Sequence, residues 1–190
     1  MQSKPDRALS DPLTWRSMTA LVKVGAVIIW AVFTLYLLFL LKLLLFSRAP
    51  GSDHSLNLIP FGTIWNYLSG DAGVPRGIAI SNLVGNVAAF IPLGVFLPLL
   101  RRSTGIWSNL LIVLCASVGV EIVQGIVGVG ASDIDDVILN TLGGLIGILF
   151  FAALLRLLRR WSRVTIAIAV LSLLLAPVLG LLVFGVRLRM

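Results

Sequence analysis

The fold is decided by the stretch Ser132-Asp133-Ile134-Asp135-Asp136-Val137-Ile138-Leu139-Asn140-Thr141-Leu142-Gly143-Gly144, in which three carboxylates and an amide lead directly into an apolar helix. In hydrocarbon, each charged or amide side chain is costly unless it has a partner or reaches water. Such residues are therefore retained for a structural or functional reason. We expect the other segments of the chain to be arranged so that their own polar residues face this one.

The composition is that of a membrane protein. Of 190 residues, 58% are hydrophobic and only 12% are charged, and the mean hydropathy is +1.05. A soluble domain of this size is far less apolar. Lys and Arg outnumber Asp and Glu by 15 to 8, but they cluster beside apolar runs, where they set membrane orientation, so nucleic-acid binding is not needed to explain the charge. The single cysteine, Cys115, excludes an intrachain disulfide and a metal site built on Cys spacing.

The apolar runs predict an all-α, polytopic membrane bundle of five transmembrane helices. Each run is long enough to cross a hydrocarbon core about 30 Å thick. The first is also too long for the core of a signal peptide, and we interpret it as a retained anchor. The spans are expected at about residues 20–46, 78–100, 106–127, 135–155 and 164–186.

The remaining segments are an N-terminal arm (1–19), a long loop (47–77), a basic loop (156–163) and a short tail that ends at residue 190. Ten of the 15 Lys and Arg residues fall on the N-terminal side of the membrane in this arrangement. The positive-inside rule therefore predicts a cytoplasmic N-terminus and an outer C-terminus. Residues 47–77 then lie at the outer face.

The outer loop contains an apolar and aromatic block, residues 56–65, that ends at Trp65. Tryptophan is enriched at the depth of the lipid headgroups. The block predicts a short helix that lies in the membrane interface. A lid over a site explains the same block equally well.

Polar residues that are energetically unfavourable in hydrocarbon occur in three spans. The predicted topology places all of them in the outer half of the membrane. At about 1.5 Å rise per residue, they lie about 6 to 12 Å below the surface. A lone carboxylate inside a span costs about 2.5 to 3.5 kcal/mol at the membrane centre, so the acid of the third span needs a partner or water. We predict a polar pocket that opens to the outer face and binds a ligand. Its candidate residues are Asn82, Asn86, Glu121, Gln124, Asp133, Asp135, Asp136 and Asn140.

Structural roles compete with ligand binding for these residues. Ser132 with Asp135, or Asp133 with Asp136, fits a helix N-cap followed by an acid in the first turn. The amides would each contribute roughly 0.6 kcal/mol as hydrogen bonds between helices. Gly143 and Gly147 have the spacing that permits close helix contact.

Familiar catalytic motifs are weak or missing. The only histidine, His54, lies beside Asp53 and Ser55, and adjacency in sequence does not supply the geometry of a catalytic triad. The sequence contains no phosphate-binding glycine loop and no histidine-based metal motif. A divalent cation such as Mg²⁺ or Ca²⁺ could be bound through oxygen ligands of Glu121, Asp133 and Asp136. No other cofactor is indicated.

Four blocks of the sequence resemble those of the VanZ-like membrane proteins in order and spacing. The blocks begin at Asn57, Asn82, Glu121 and Asp133, and together they cover about residues 56–150. The resemblance implies a helical bundle in the bacterial cytoplasmic membrane, with a core at residues 78–155. It also carries the family's shared polar positions onto the eight candidate residues.

One position departs from the family pattern. Members often have an arginine three residues before the first aspartate of the acidic block, whereas this chain has Gly130. A cation that would pair with the acids or bind an anionic headgroup is therefore missing at that position. The ligand of this chain need not be the one that other members bind.

The resemblance also implies a function, because the namesake of the family confers low-level resistance to the lipoglycopeptide teicoplanin. We expect a non-enzymatic envelope factor whose partners are membrane lipids and a lipid-linked cell-wall component or the lipoglycopeptide itself. A membrane-embedded enzyme is the first alternative, with Glu121 or Asp136 as general base or metal ligand for a lipid or isoprenoid-linked substrate. A small transporter is the second, although the sequence shows no inverted repeat.

Overall fold

A computed structural model of the protein describes residues 18–46, 56–127 and 132–185. Within these residues the chain forms six α-helices, five of which are long and apolar enough to cross a membrane. The prediction of an all-α membrane bundle with five spans is confirmed. Residues 1–17 of the predicted arm, His54, Gly130 and the C-terminal tail lie outside the described residues, and the predicted orientation stays a prediction.

The elements follow one another with short connections. The helices are α1 (Ala20–Phe46), α2 (Gly62–Ser69), α3 (Arg76–Arg101), α4 (Ile106–Val127), α5 (Ile134–Leu158) and α6 (Trp161–Gly180), which continues as a π-helical turn (Leu181–Gly185). Two strands of two residues each, β1 (Leu56–Asn57) and β2 (Ser132–Asp133), pair in parallel. The short helix that the sequence predicts in the outer loop is α2.

Two helix ends extend beyond the predicted bounds, each for a local reason. The helix α5 continues to Leu158, three residues past the predicted end, with Arg156 in its last turn. A cation there interacts favourably with the negative end of the helix dipole. The helix α3 begins at Arg76, directly after Pro75. Proline is common at helix starts because the first amides need no intrahelical acceptor.

The centre of the bundle is a close contact between α3 and α5 that depends on glycine. A Cβ atom on Gly143 would collide with the carbonyl of Val87, and one on Gly147 would collide with the backbone of Ile91 and Gly94. Only a residue without a side chain permits such an approach of two backbones. The predicted role of Gly143 and Gly147 in close helix packing is confirmed.

Two apolar clusters join the other spans to this pair. One cluster connects α1, α3, α5 and α6 through side chains such as Phe96, Phe151 and Ile168. The other connects α1, α3, α4 and α5 around Tyr36 and Phe90. Many other apolar side chains point outward on all five spans, as expected of helices whose outer surface faces lipid.

A tyrosine hydroxyl bonds to the backbone of α3 beside a proline. Proline has no amide hydrogen, so Pro92 leaves the carbonyl of Ala88, four residues earlier, without its usual donor. The hydroxyl of Tyr36, fully buried on α1, donates to the next carbonyl, that of Ala89, with 2.7 Å between the oxygens. This contact joins α1 to α3 close to the proline.

A lysine caps the end of the last span. The ammonium of Lys42 on α1 donates to the carbonyls of Leu182, at 3.3 Å, and Val183 in the π-helical turn. Carbonyls at a helix end lack intrahelical donors, and a cation there also offsets the helix dipole. This contact ties the end of α6 to the end of α1.

Candidate functional site

The segment from 56 to 69, which we call the strap, crosses the end of the bundle where α5 begins. Its strand β1 pairs with β2, so that Leu56 lies opposite Ser132 and Asn57 lies opposite Asp133. The helix α2 follows immediately and packs against α3 and α5. The strap therefore lies directly over the acidic stretch that begins the fourth span.

Asp133 is the N-cap of α5, and its carboxylate also holds the strap. The oxygen Oδ1 accepts from the backbone amide of Asp135 at 2.9 Å and from the side-chain amide of Asn57 at 3.1 Å. The oxygen Oδ2 accepts from the hydroxyl of Thr63 at 2.6 Å. The capping interpretation of Asp133 is confirmed, and the alternative with Ser132 as N-cap is wrong because α5 begins at Ile134, directly after Asp133.

Asp135 caps a second helix, which is distant in sequence. Its carboxylate is 0% exposed and accepts from the backbone amides of Phe61, at 2.5 Å, and Ile64, at 3.0 Å. Phe61 precedes α2 in a left-handed conformation and supplies no side-chain cap of its own. Helix N-termini present unsatisfied amides and a positive dipole end, which favour a carboxylate. The buried charge of Asp135 therefore stabilises the start of α2.

The remaining acids connect the spans beneath the strap. Glu121 is buried on α4, and its Oε2 accepts from the backbone amide of Asp133 at 3.0 Å. The side-chain amide of Asn86 on α3 donates to Oδ1 of Asp136. The amide of Asn140 donates to the hydroxyl of Ser117 on α4 at 3.0 Å. These contacts join α3, α4 and α5 at one end of the bundle.

Seven of the eight candidate residues therefore lie together, and we call them the polar cluster: Asn86, Glu121, Gln124, Asp133, Asp135, Asp136 and Asn140. Gln124 is buried one turn along α4 from Glu121. Asn82 lies apart from the cluster. It is exposed on α3, and its amide nitrogen is 3.5 Å from the hydroxyl of Tyr67 on α2.

No metal centre is evident in the part of the chain that the structure describes, since no group of three or more acidic, His or Cys side chains there could hold an ion. The contact between Glu121 and Asp133 is a hydrogen bond from the backbone amide of Asp133 to the carboxylate of Glu121. Binding of a divalent cation by Glu121, Asp133 and Asp136 stays a prediction.

Sequence reasoning missed three side chains of this site. Asn57 and Thr63 donate to Asp133 from the strap, and Ser117 accepts from Asn140. Ser117 lies one turn before Glu121, a spacing that places both on one face of α4 and could have identified it. No local signal links Thr63 to Asp133, because 70 residues separate them.

The outer surface of the strap is apolar. Five of its side chains are each at least 60% exposed, namely Leu58, Ile59, Phe61, Trp65 and Leu68. Exposed apolar patches of this kind mark interaction or membrane surfaces. Tryptophan and leucine on one face of a short helix fit insertion at the level of the headgroups. The strap thus has a polar side that faces the cluster and an apolar side that faces outward.

Comparison with known proteins places these elements in a wider context. The model of the VanZ/LLP1 family matches residues 33–159, which include the strap and the whole polar cluster. The chain is 30% identical over 174 residues to Protein VanZ from Enterococcus faecium, and the alignment covers 87% of this chain and 97% of that protein. No solved structure matches the chain significantly.

Proposed function

Because the chain belongs to the VanZ/LLP1 family, we propose that it binds an amphiphile or a lipid-linked envelope component at the outer leaflet of the bacterial cytoplasmic membrane. Binding modifies the susceptibility of the cell to lipoglycopeptides such as teicoplanin. The observation that carries the proposal is the strap, which combines an exposed apolar face with a polar cluster directly beneath it.

The apolar face of the strap suits the hydrophobic part of such a ligand. Phe61, Trp65 and Leu68 are exposed on or next to the short helix α2. Aromatic side chains bury large areas at little entropic cost and favour positions between water and lipid. An acyl or isoprenoid chain already in the leaflet can therefore lie along this face without leaving the membrane.

Polar groups at the edge of the strap suit the head of the ligand. Asn82 is exposed on α3 beside the half-buried hydroxyl of Tyr67. One turn deeper on α3, Asn86 donates to Asp136 of α5. Together they offer amide, hydroxyl and carboxylate groups that can hydrogen-bond a sugar or peptide. Asp133 and Asp135 instead hold the strap in position.

An apolar face for the chain of the ligand and polar groups for its head predict selectivity between glycopeptides. A lipoglycopeptide carries an apolar chain that the strap can contact, whereas vancomycin offers the strap no such chain. Expression of the chain in a Gram-positive host should raise the inhibitory concentration of teicoplanin and leave that of vancomycin unchanged. Asp136→Asn should abolish the effect. The side-chain oxygen of the asparagine can still accept from Asn86, but the charge that the carboxylate presents to the ligand is lost.

Matched tryptophan variants test the role of the strap. Trp65 is 69% exposed on α2 and Trp107 is 82% exposed at the opposite end of the bundle, so replacing either one leaves the packed interior intact. We expect Trp65→Ser to lower teicoplanin resistance and Trp107→Ser to leave it unchanged, at membrane levels matched by blot. Resistance as high as that of the wild type in both tryptophan variants and in Asp136→Asn would show that this site does not determine the phenotype.

A further inference from the structure

A cavity of about 280 Å³ lies at the end of the bundle opposite the strap. It is formed by the end of α3, the connection to α4 and the last turns of α5. Eight residues of α5 separate Asn140 of the polar cluster from Ile148, the nearest cavity residue on this helix, a distance of about 12 Å along the helix. The cavity is therefore a separate site, and the proposed function does not use it.

The lining of the cavity changes from apolar to polar towards the helix ends. Its deeper wall consists of the α5 side chains Ile148, Phe151, Ala152 and Leu155. Its outer part is lined by Ser103, Thr104, Asn109 and Arg156. The order of these groups matches that of a lipid, with an apolar chain in the membrane and a polar head at its surface.

Arginine gives the outer part a positive charge. Arg156 lines the cavity, and its guanidinium has no hydrogen bond or ion pair within the part of the chain that the structure describes. None of the residues that line the cavity is acidic. A guanidinium with free donors beside hydroxyl groups is suited to a phosphate, which it can bind through two parallel hydrogen bonds.

A second arginine is fixed beside the same opening. Asn109 is fully buried, and its amide nitrogen donates to the carbonyls of Ser103, at 3.1 Å, and Gly105, at 2.8 Å. Its side-chain oxygen is therefore directed away from these carbonyls and accepts from the guanidinium of Arg101 at 2.6 Å. Asn109 thus acts as a positioning residue for a cation next to the cavity.

We propose that this cavity binds one anionic phospholipid from the leaflet on the side of the basic loop. Arg156 and Arg101 contact the phosphate, Ser103 and Thr104 donate hydroxyl hydrogen bonds, and the first part of an acyl chain lies along Phe151 and Leu155. Basic pockets between transmembrane helices recognise acidic headgroups in this way. A free phosphate would leave the apolar wall uncovered, which favours the lipid.

Native mass spectrometry of the full chain, released from detergent micelles, tests the proposal. The probes are phosphatidylglycerol and phosphatidylcholine with identical acyl chains, and glycerol 3-phosphate as a soluble competitor. We expect retention of one phosphatidylglycerol, little phosphatidylcholine and no competition. Arg156→Gln should weaken retention about fivefold, the effect of one cation near an anionic headgroup.

Arg159→Gln is the matched control, since Arg159 carries the same charge near the same end but does not line the cavity. It should retain phosphatidylglycerol as the wild type does. Ala152→Leu, which fills the apolar wall without changing charge, should also weaken retention. Equal retention of both lipids, equal losses in the two arginine variants, or displacement by glycerol 3-phosphate would each overturn the proposal. If Ala152→Leu does not fold, the comparison of the arginine variants decides alone.

Discussion

Replacing Asp135 by alanine is expected to release the strap from the end of the bundle. The substitution removes the acceptor for the amides of Phe61 and Ile64. Hydrogen bonds to a charged group contribute about 1.5 kcal/mol each at the lower end of their range, so the two together contribute about 3 kcal/mol. Every 1.4 kcal/mol is a factor of ten, so the open population of the strap should rise about 100-fold.

Limited proteolysis measures this opening. When reclosing is faster than cleavage, the cleavage rate follows the equilibrium population of the open state. Chymotrypsin cuts after aromatic residues, and the strap offers Phe61, Trp65 and Tyr67. Cleavage within α2 of the purified protein should be about 100-fold faster in Asp135→Ala than in the wild type. Asp135→Asn should be intermediate, since its side-chain oxygen accepts but its amide group cannot.

Asp71→Ala is the control for this experiment. Asp71 is an exposed acid just beyond the same helix, where it accepts from the hydroxyl of Ser69 at 2.7 Å. Its removal changes the net charge of the protein by the same amount and should leave the cleavage rate unchanged. The same acceleration in both alanine variants would mean that charge, and not the capping contact, controls the strap.

Gly147 should be one of the least tolerant positions in the bundle. A Cβ atom at this position would collide with the backbone of Ile91 and Gly94, where no side chain can move aside. Overpacking of a well-packed interior costs typically about 1 to 3 kcal/mol. We expect Gly147→Ala to lose about 3 kcal/mol of stability, and Gly147→Leu to yield no monodisperse protein in detergent.

Two other helical glycines provide controls. An added Cβ on Gly85 in α3 or Gly119 in α4 would meet no atom within 4 Å. Alanine is a better helix former than glycine by about 1 kcal/mol, so Gly85→Ala and Gly119→Ala should fold as well as the wild type or slightly better. Thermal unfolding followed by size-exclusion chromatography compares the four variants. A stable Gly147→Leu protein would contradict the close contact of α3 with α5.

The five spans could be predicted because their signal is local. Each depends on a run of apolar residues that is long enough to cross the membrane. Their ends were less predictable, since α5 continues through Arg156 to Leu158 and α6 begins at Trp161. A cation in the last turn is compatible with a helix, so charge alone does not mark where it stops.

The polar cluster could be predicted in part. Spacing places Glu121 and Gln124 on one face, and topology places them at the depth of the acidic stretch. The role of Asp135 could not be predicted, because its partners are backbone amides 71 and 74 residues earlier. A two-residue strand such as β1 likewise has no periodicity, so its pairing with β2 is determined by tertiary contacts.

The capping of α2 by Asp135 underlies both the position of the strap and the proposed site, and amide hydrogen exchange of the wild-type protein tests it most directly. Resolved by NMR in detergent micelles, the amides of Phe61 and Ile64 should exchange about 100-fold more slowly than unstructured amides. The amide of Gly73, in the exposed turn that follows, serves as the internal reference. Exchange of Phe61 and Ile64 at the rate of Gly73 would contradict the capping of the strap by the fourth span.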